Sequence, residues 1–255
     1  MSPDALPEIG LGTMGISDPE RIASAIEMGY RHLDTAQIYE NEDVVGKGIE
    51  LADVSREELF VATKVWADSL AHDDVIASTE TSLSKLGLDY VDLLYVHRPI
   101  EAYEPQETLL AFDALMEQER IRHVGVSNFT AEELDTARNV LDAPIFAHQV
   151  EMHPLFRQAD LLADARRHGT NLVAYSPIAQ GEVFDLPELT TLAEKHDATE
   201  AQIALAWVVE TGAVPIPRSQ SDSHLRENLV AGDIEFTSED VDTIESIDRE
   251  KKLFE

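Results

Sequence analysis

The sequence predicts one α/β domain, a single (β/α)8 TIM-type barrel over residues 1–255, with an extra C-terminal helix and shortened substrate loops. Three observations predict it. Short β-rich runs recur eight times, each followed by an amphipathic helical stretch. Eight such units in 255 residues match the size of that barrel. No Gly-, Ser- or Pro-rich linker divides the chain, and no strong internal repeat is present.

The predicted strands are residues 8–12, 31–34, 59–64, 91–97, 122–126, 145–149, 171–175 and 213–217. Asp18 followed by Pro19 opens the first helix, as an N-cap with proline at the first helical position. Gly29 stands where it should stop. Val75, Thr79, Leu83 and Leu86 recur at helical spacing up to Gly87. Thr130 with Glu133 forms a capping box ahead of Leu134, Ala137 and Leu141. Gly169 ends the helix before the seventh strand. Two helical patterns, 186–196 and 199–211, separate the last two strands, the second opened by Thr199 with Gln202. A pattern over 238–247 is the extra C-terminal helix.

Composition excludes several functions. The chain has 50 acidic and 19 basic residues, a formal net charge of −31, and no cysteine. Such a surface repels phosphates, so no nucleic-acid partner is expected. Without cysteine there are no disulfides, zinc fingers, iron–sulfur ligands or thiol nucleophiles. No apolar run approaches the ~18 residues of a membrane helix, so no membrane partner is expected. Met1-Ser2-Pro3-Asp4 lacks a basic region followed by an apolar stretch, so no secretory signal is expected and the site of action is cytoplasmic. The acids are spread evenly, which reads as an acidic folded surface of a halophilic, salt-adapted cytoplasm. No long exposed apolar segment stands out, so a monomer is expected.

Gly10-Leu11-Gly12-Thr13-Met14-Gly15 matches G-x-G-x-x-G, and Asp34 follows at a dinucleotide-fold distance. The preceding strand is short and contains Pro7, and the helix signal begins only at Asp18. Gly15 therefore does not open a helix that could hold a pyrophosphate. The glycines read as a turn leaving the first barrel strand.

A barrel places its active site at the C-terminal ends of its strands. The polar residues there are Asp34, Lys64, His97, Ser127, Asn128, Gln149, Tyr175 and Ser176, with Tyr39 in the loop after Asp34. Their chemistry is coherent. A lysine ammonium stabilises a phenolate, so Lys64, held charged by Asp34, should lower the pKa of Tyr39 and make it a general acid. His97 can hydrogen-bond an oxygen that develops negative charge. That equipment protonates a carbonyl oxygen and needs a separate hydride donor. No metal site is expected: His148 and His153 flank Gln149 without an acidic partner at ligand spacing. The acidic run Glu239-Asp240-Val241-Asp242 reads as a solvated helix face.

These residues resemble the aldo-keto reductase family. The likeness runs through Gly29-Tyr30-Arg31-His32-Leu33-Asp34-Thr35-Ala36 to Tyr39, then Thr63-Lys64-Val65-Trp66 and Leu86-Gly87-Leu88-Asp89-Tyr90-Val91-Asp92 to His97-Arg98-Pro99. It continues through Gly125-Val126-Ser127-Asn128-Phe129, Ala174-Tyr175-Ser176-Pro177 and Ile216-Pro217-Arg218-Ser219. Short prokaryotic members, similar to 2,5-diketo-D-gluconate reductases, look nearest. The resemblance implies that Asp34, Tyr39, Lys64 and His97 form the catalytic tetrad for reducing an aldehyde or ketone. It implies that Ser127, Asn128 and Gln149 hold a nicotinamide carboxamide, with Tyr175 under the ring, and places Thr13 in the cofactor site. Ser176 would begin the pyrophosphate loop, Arg218 and Ser219 would meet a 2′-phosphate, and Glu227 and Asn228 the adenine end. NADPH is the implied cofactor, with NADH as the alternative, because His224 stands where the family commonly has Arg. Trp66 and Arg98 fall in the substrate pocket, and Met14 and Arg98 replace tryptophans common in the family. The family's N-terminal hairpin looks cut to one strand, and the chain ends at Glu255 almost without its C-terminal loop, implying an open pocket.

Two other functions fit parts of the pattern. A Schiff-base aldolase could use Lys64, but needs it neutral. A cofactor-binding regulatory protein without turnover would keep the nucleotide site alone.

Overall fold

The computed structural model describes residues 6–254. Residues 1–5 and 255 lie outside the described residues, and so do the expectations resting on Met1-Ser2-Pro3-Asp4 and Glu255.

Eight parallel strands form one sheet in chain order. They are β1 (Leu11–Gly12), β2 (His32–Asp34), β3 (Phe60–Val65), β4 (Val91–Val96), β5 (Ile121–Ser127), β6 (Ile145–Glu151), β7 (Asn171–Tyr175) and β8 (Val214–Pro215). The outer edges meet: Gly10 N–H donates to Pro215 O at 3.0 Å and Gly12 N–H to Pro217 O at 3.1 Å. The sheet thereby curls round on itself. A Cβ on residue 12 would lie 2.8 Å from Ile216 O, so only glycine lets β1 approach β8 this closely. Gly12 of the early glycine motif serves that approach.

Helices α1 (Pro19–Met28), α2 (Glu42–Leu51), α3 (His72–Leu86), α4 (Pro105–Glu117), α5 (Ala131–Val140) and α6 (Ala159–His168) connect β1 to β7. Then α7 (Pro187–His196) and α8 (Glu200–Glu210) lie between β7 and β8, and α9 (Asp222–Leu229) and α10 (Ser238–Glu245) follow. The start signals act as read: the Asp18 carboxylate accepts from Glu20 N–H, and Thr130 and Thr199 form reciprocal capping boxes. No helix among the described residues is long and apolar enough to cross a membrane.

Two apolar compartments result. Outward-facing strand residues such as Leu33, Val61, Leu94, Val96, Val124 and Val126 pack under the helices. The interior holds Phe60, Ala62, Leu93, Tyr95, Ala147, Val173, Val214 and Ile216. Tyr95 fits because Gly125 is its register partner on β5; a Cβ there would sit 2.5 Å from the ring. The acidic run at 239–242 is not wholly a solvated face. Asp240 is buried, caps α10 through Thr237, and takes Lys195 at 2.6 Å and His196 at 3.1 Å. Those partners, opposing the cost of burial, hold its carboxyl well below the usual range.

Candidate active site

Period-two alternation turns Asp34 on β2 and Lys64 on β3 into the barrel mouth, above the apolar interior. Both are buried, and Lys64 Nζ pairs with Asp34 Oδ1 and donates to Thr35 O at 2.8 Å. The other oxygen of Asp34 accepts from Gln149 Nε2 at 2.7 Å. Burial alone would depress the lysine, but Asp34 and Tyr39 reverse this and hold its pKa above the ordinary value. Lys64 is therefore a charged ammonium, which rules out its use as a Schiff-base nucleophile.

Tyr39 closes a short helical turn, 37–39, after β2. Glu40, in the left-handed region at φ 53°, and buried Asn41 then fix the loop. The Asn41 amide donates to Thr13 O at 2.8 Å and Ile16 O at 3.0 Å, tying the β2 loop to the β1 loop. Lys64 Nζ stands 5.1 Å from the centre of the Tyr39 ring, close enough for its charge to act on the phenol. The expected depression of Tyr39 does not occur. Burial outweighs Lys64, and Asp34 opposes it too, so the phenol lies above its ordinary pKa. Tyr39 is held as the protonated phenol, the form that gives a proton.

His97 follows β4, its N–H bonded to Val65 O at 3.1 Å. Its ring lies edge-on to Tyr39 at 6.0 Å and to Trp66 at 5.1 Å. Burial, then Lys64 and Arg98, lower its pKa to about 3, so the imidazole is neutral and can donate one N–H to an oxygen between it and Tyr39. Arg98, half-buried beside it, acts electrostatically on both His97 and Tyr175.

The remaining predicted residues fall into two groups. In the first, Asn128, left-handed at φ 63°, donates to His97 O at 3.1 Å and Ser127 Oγ at 3.0 Å, and accepts from Tyr175 OH at 2.9 Å. Ser127 keeps its own proton to donate, and Gln149, lying within β6, keeps its carbonyl oxygen to accept. That donor–acceptor pair suits a carboxamide. Buried Thr13 donates to Asp34 O at 3.0 Å, and half-buried Ser176 opens the loop after β7. In the second group, past β8, Arg218 Nη1 donates to Met14 O at 3.1 Å, beside Gly15 at φ 75°. Ser219 Oγ accepts from Ser221 N–H at 3.1 Å, His224 is exposed on α9, Glu227 O accepts from Gln202, and Asn228 is buried. Among the described residues no hydrogen bond joins this group to Asn128 or Tyr175.

Sequence reasoning passed over Asn41 and Glu151, and considered His148 and His153 only as metal ligands without an acidic partner; His153 in fact has one, Glu151, at 3.0 Å. His148 accepts from Phe129 N–H at 3.3 Å and so steadies the β5 loop. Asn41, two residues beyond Tyr39, carries a weak signal: a short amide in a loop that must meet its neighbour.

Comparison with known proteins agrees with this geometry. Residues 8–249 match the profile of the Aldo/keto reductase family. The chain is 36% identical to glyoxal reductase of Bacillus subtilis, over 97% of this chain and 91% of that one. It is 36% identical to methylglyoxal reductase DkgB of Salmonella typhi, over 97% and 95%. The structure of a Bombyx mori aldo-keto reductase in complex with NADP superposes with a TM-score of 0.87 at 34% identity, covering 94% of this chain and 88% of that one.

Proposed function

The chain belongs to the aldo/keto reductase family, and from that membership we propose that it is an NADPH-dependent reductase of small aldehydes and ketones. One observation carries the reading: charged Lys64, paired with Asp34, lies under a protonated Tyr39, with neutral His97 facing the same point. When bound, a nicotinamide cofactor would supply the hydride for the carbonyl carbon. Tyr39 gives its proton to the carbonyl oxygen, and Lys64 stabilises the phenolate left behind. His97 orients that oxygen through its N–H and, being neutral, does not compete as a proton source. Ser127, Asn128 and Gln149 would hold the carboxamide, Tyr175 would support the ring, and Arg218 with Ser219 would take the 2′-phosphate.

The pocket rim supports a small, weakly polar substrate. Trp66 stands beside His97, and exposed Met14, Ile38, Ile100 and Phe184 lie on the loops after β1, β2, β4 and β7. The proposal extends to a single-domain monomer working in a salt-rich cytoplasm. The test follows nicotinamide absorbance with methylglyoxal and nitrobenzaldehyde, using NADPH and then NADH, beside Tyr39→Phe. Turnover that Tyr39→Phe abolishes supports the reading; saturable cofactor binding with no turnover on any carbonyl overturns it.

A further inference from the structure

Glu151 ends β6 on the same face as Gln149 and is the register partner of Tyr175 on β7. It is buried, yet its carboxylate is fully engaged. Leu253 N–H donates to Oε1 at 2.6 Å and Phe254 N–H to Oε2 at 3.0 Å. His153 Nε2 lies 3.0 Å from Oε1; burial lowers the pKa of this imidazole, so the ring is neutral and its N–H is the donor. A carboxylate taken out of water costs several kcal/mol unless donors replace the lost water. Here two of the three donors are main-chain amides of a segment about a hundred residues away. A second tie, Lys251 N–H to Leu155 O at 2.9 Å, holds the same segment.

The segment is held where it meets the nucleotide site. The Phe254 ring stands 5.6 Å from the Tyr175 ring at 74°, edge to face. At its far end the Tyr175 hydroxyl is fixed by Asn128. The Tyr175 ring is thus constrained from two sides, by Asn128 at the hydroxyl and by Phe254 against the ring. Main-chain recognition by Glu151 is indifferent to the side chains of the segment, so Phe254 is left to set the contact.

We propose that Glu151 is a positioning residue, whose carboxylate holds the Leu253–Phe254 backbone across the barrel mouth and, through Phe254, fixes the Tyr175 ring and one wall of the carbonyl pocket. This rests on the reading of Tyr175 as the support of the nicotinamide ring. Phe254 is then a specificity-determining residue. It should matter more for a bulky aromatic carbonyl, which reaches the wall, than for a two- or three-carbon one.

The test uses the full chain as wild type, Glu151→Gln, Phe254→Ala and Phe254→Leu. Amide hydrogen exchange of Leu253 and Phe254 is measured with and without NADP, and kcat/KM is compared for nitrobenzaldehyde and methylglyoxal. A glutamine offers one acceptor oxygen and no charge, so Glu151→Gln should speed exchange of both amides about tenfold or more. The nitrobenzaldehyde to methylglyoxal ratio should fall by a similar factor. Phe254→Ala should reproduce the fall in ratio with the amides still protected, and Phe254→Leu should restore part of it. Unchanged exchange in Glu151→Gln overturns the proposal. Should that variant not fold, an unchanged ratio in Phe254→Ala overturns it instead. Wild-type chain that binds no nicotinamide nucleotide overturns the site reading and the platform role with it; the exchange data show separately whether Glu151 holds the segment.

Discussion

Lys64 and Asp34 form an ion pair whose side chains are 0% and 2% exposed, at the mouth of a barrel whose interior is lined largely by apolar side chains. The pair is costly to bury and costlier to break, because one partner alone leaves an uncompensated charge. Lys64→Met should therefore do two things. It removes the cation that stabilises the Tyr39 phenolate, so kcat for carbonyl reduction should fall by ~10²–10⁴. It also strands Asp34 with Gln149 as its remaining side-chain partner, so stability should fall by about 3–5 kcal/mol in denaturant titration. Unchanged stability would mean that the buried pair does not hold the barrel mouth together.

Tyr39→Phe keeps the ring and its packing and removes only the hydroxyl that gives the proton. Cofactor affinity, read by fluorescence titration, should stay at the wild-type value while kcat falls by ~10²–10⁴. The pH profile follows from the groups on either side of the reacting oxygen. Tyr39 stays protonated until above the ordinary phenol value of 10.0, and His97 stays neutral down to about 3. The kcat for reduction should therefore be flat through the neutral range and fall only on the alkaline side. An acidic limb near the ordinary histidine value would show that His97 titrates during turnover.

The parts of this architecture that repeat were legible in the sequence. Strands β3 to β7 lie where alternating β-rich runs and helix caps put them, within about two residues. Strands β1 and β8 shrink to two residues each. Pro215 and Pro217 have no N–H to give, so bonding across the closing seam runs one way, from Gly10 and Gly12. The convergence of Asp34, Lys64 and His97 with Tyr39 was legible because ionisable residues ending adjacent strands must face one mouth. The turn of Gln149 onto Asp34, the Asn41 clasp and the Glu151 contacts were not. They depend on which strands and loops stand beside one another and on segments 25 to 115 residues apart, a relationship that spacing along the chain does not encode. The pKa of Tyr39 failed for a related reason: proximity to Lys64 could be read, but burial could not.

His32 and His148 should make the protein acid-sensitive well above the carboxylate range. Burial, their leading cause, lowers both from 6.5 to about 4. A depressed base binds its proton more readily in the unfolded chain. The stability these rings contribute is full above 6.5 and is lost as pH falls from 6.5 to about 4, on the order of 3 kcal/mol for each. Replacing His148 by glutamine, which keeps an acceptor for Phe129 N–H, should flatten that slope. The check is denaturant unfolding between neutral pH and the acid end of that window.

Arg218 should separate the two nicotinamide nucleotides. Its guanidinium now donates to Met14 O, close to Gly15, where a bound 2′-phosphate would offer a stronger, charged acceptor. Loss of a hydrogen bond to a charged group costs about 1.5–3 kcal/mol. Arg218→Ala should therefore raise the KM for NADPH about tenfold or more and leave that for NADH unmoved. His224→Arg on exposed α9 should act in the opposite sense, tightening NADPH. Equal effects on both nucleotides would place the adenosine end elsewhere.

The net charge of −31 sets the last prediction. The interior ion pairs are beyond the reach of salt, because screening acts on exposed charges. The surface is different. Asp73 and Asp74 open α3 side by side, and Glu107 lines the same shallow surface hollow. Such clusters repel one another over roughly 10 Å at 0.1 M salt and only about 3 Å at 1 M. Screening should therefore stabilise the fold without changing a single buried contact. A gain of a few kcal/mol corresponds to a Tm rise of roughly 5–10 °C for a chain of this size. Thermal unfolding is followed from low salt to molar KCl, with a non-ionic osmolyte at matched osmolality as the control. A rise in KCl alone identifies charge screening as the cause. A Tm that stays level would mean that the acidic surface carries no salt adaptation and that the interior alone determines stability.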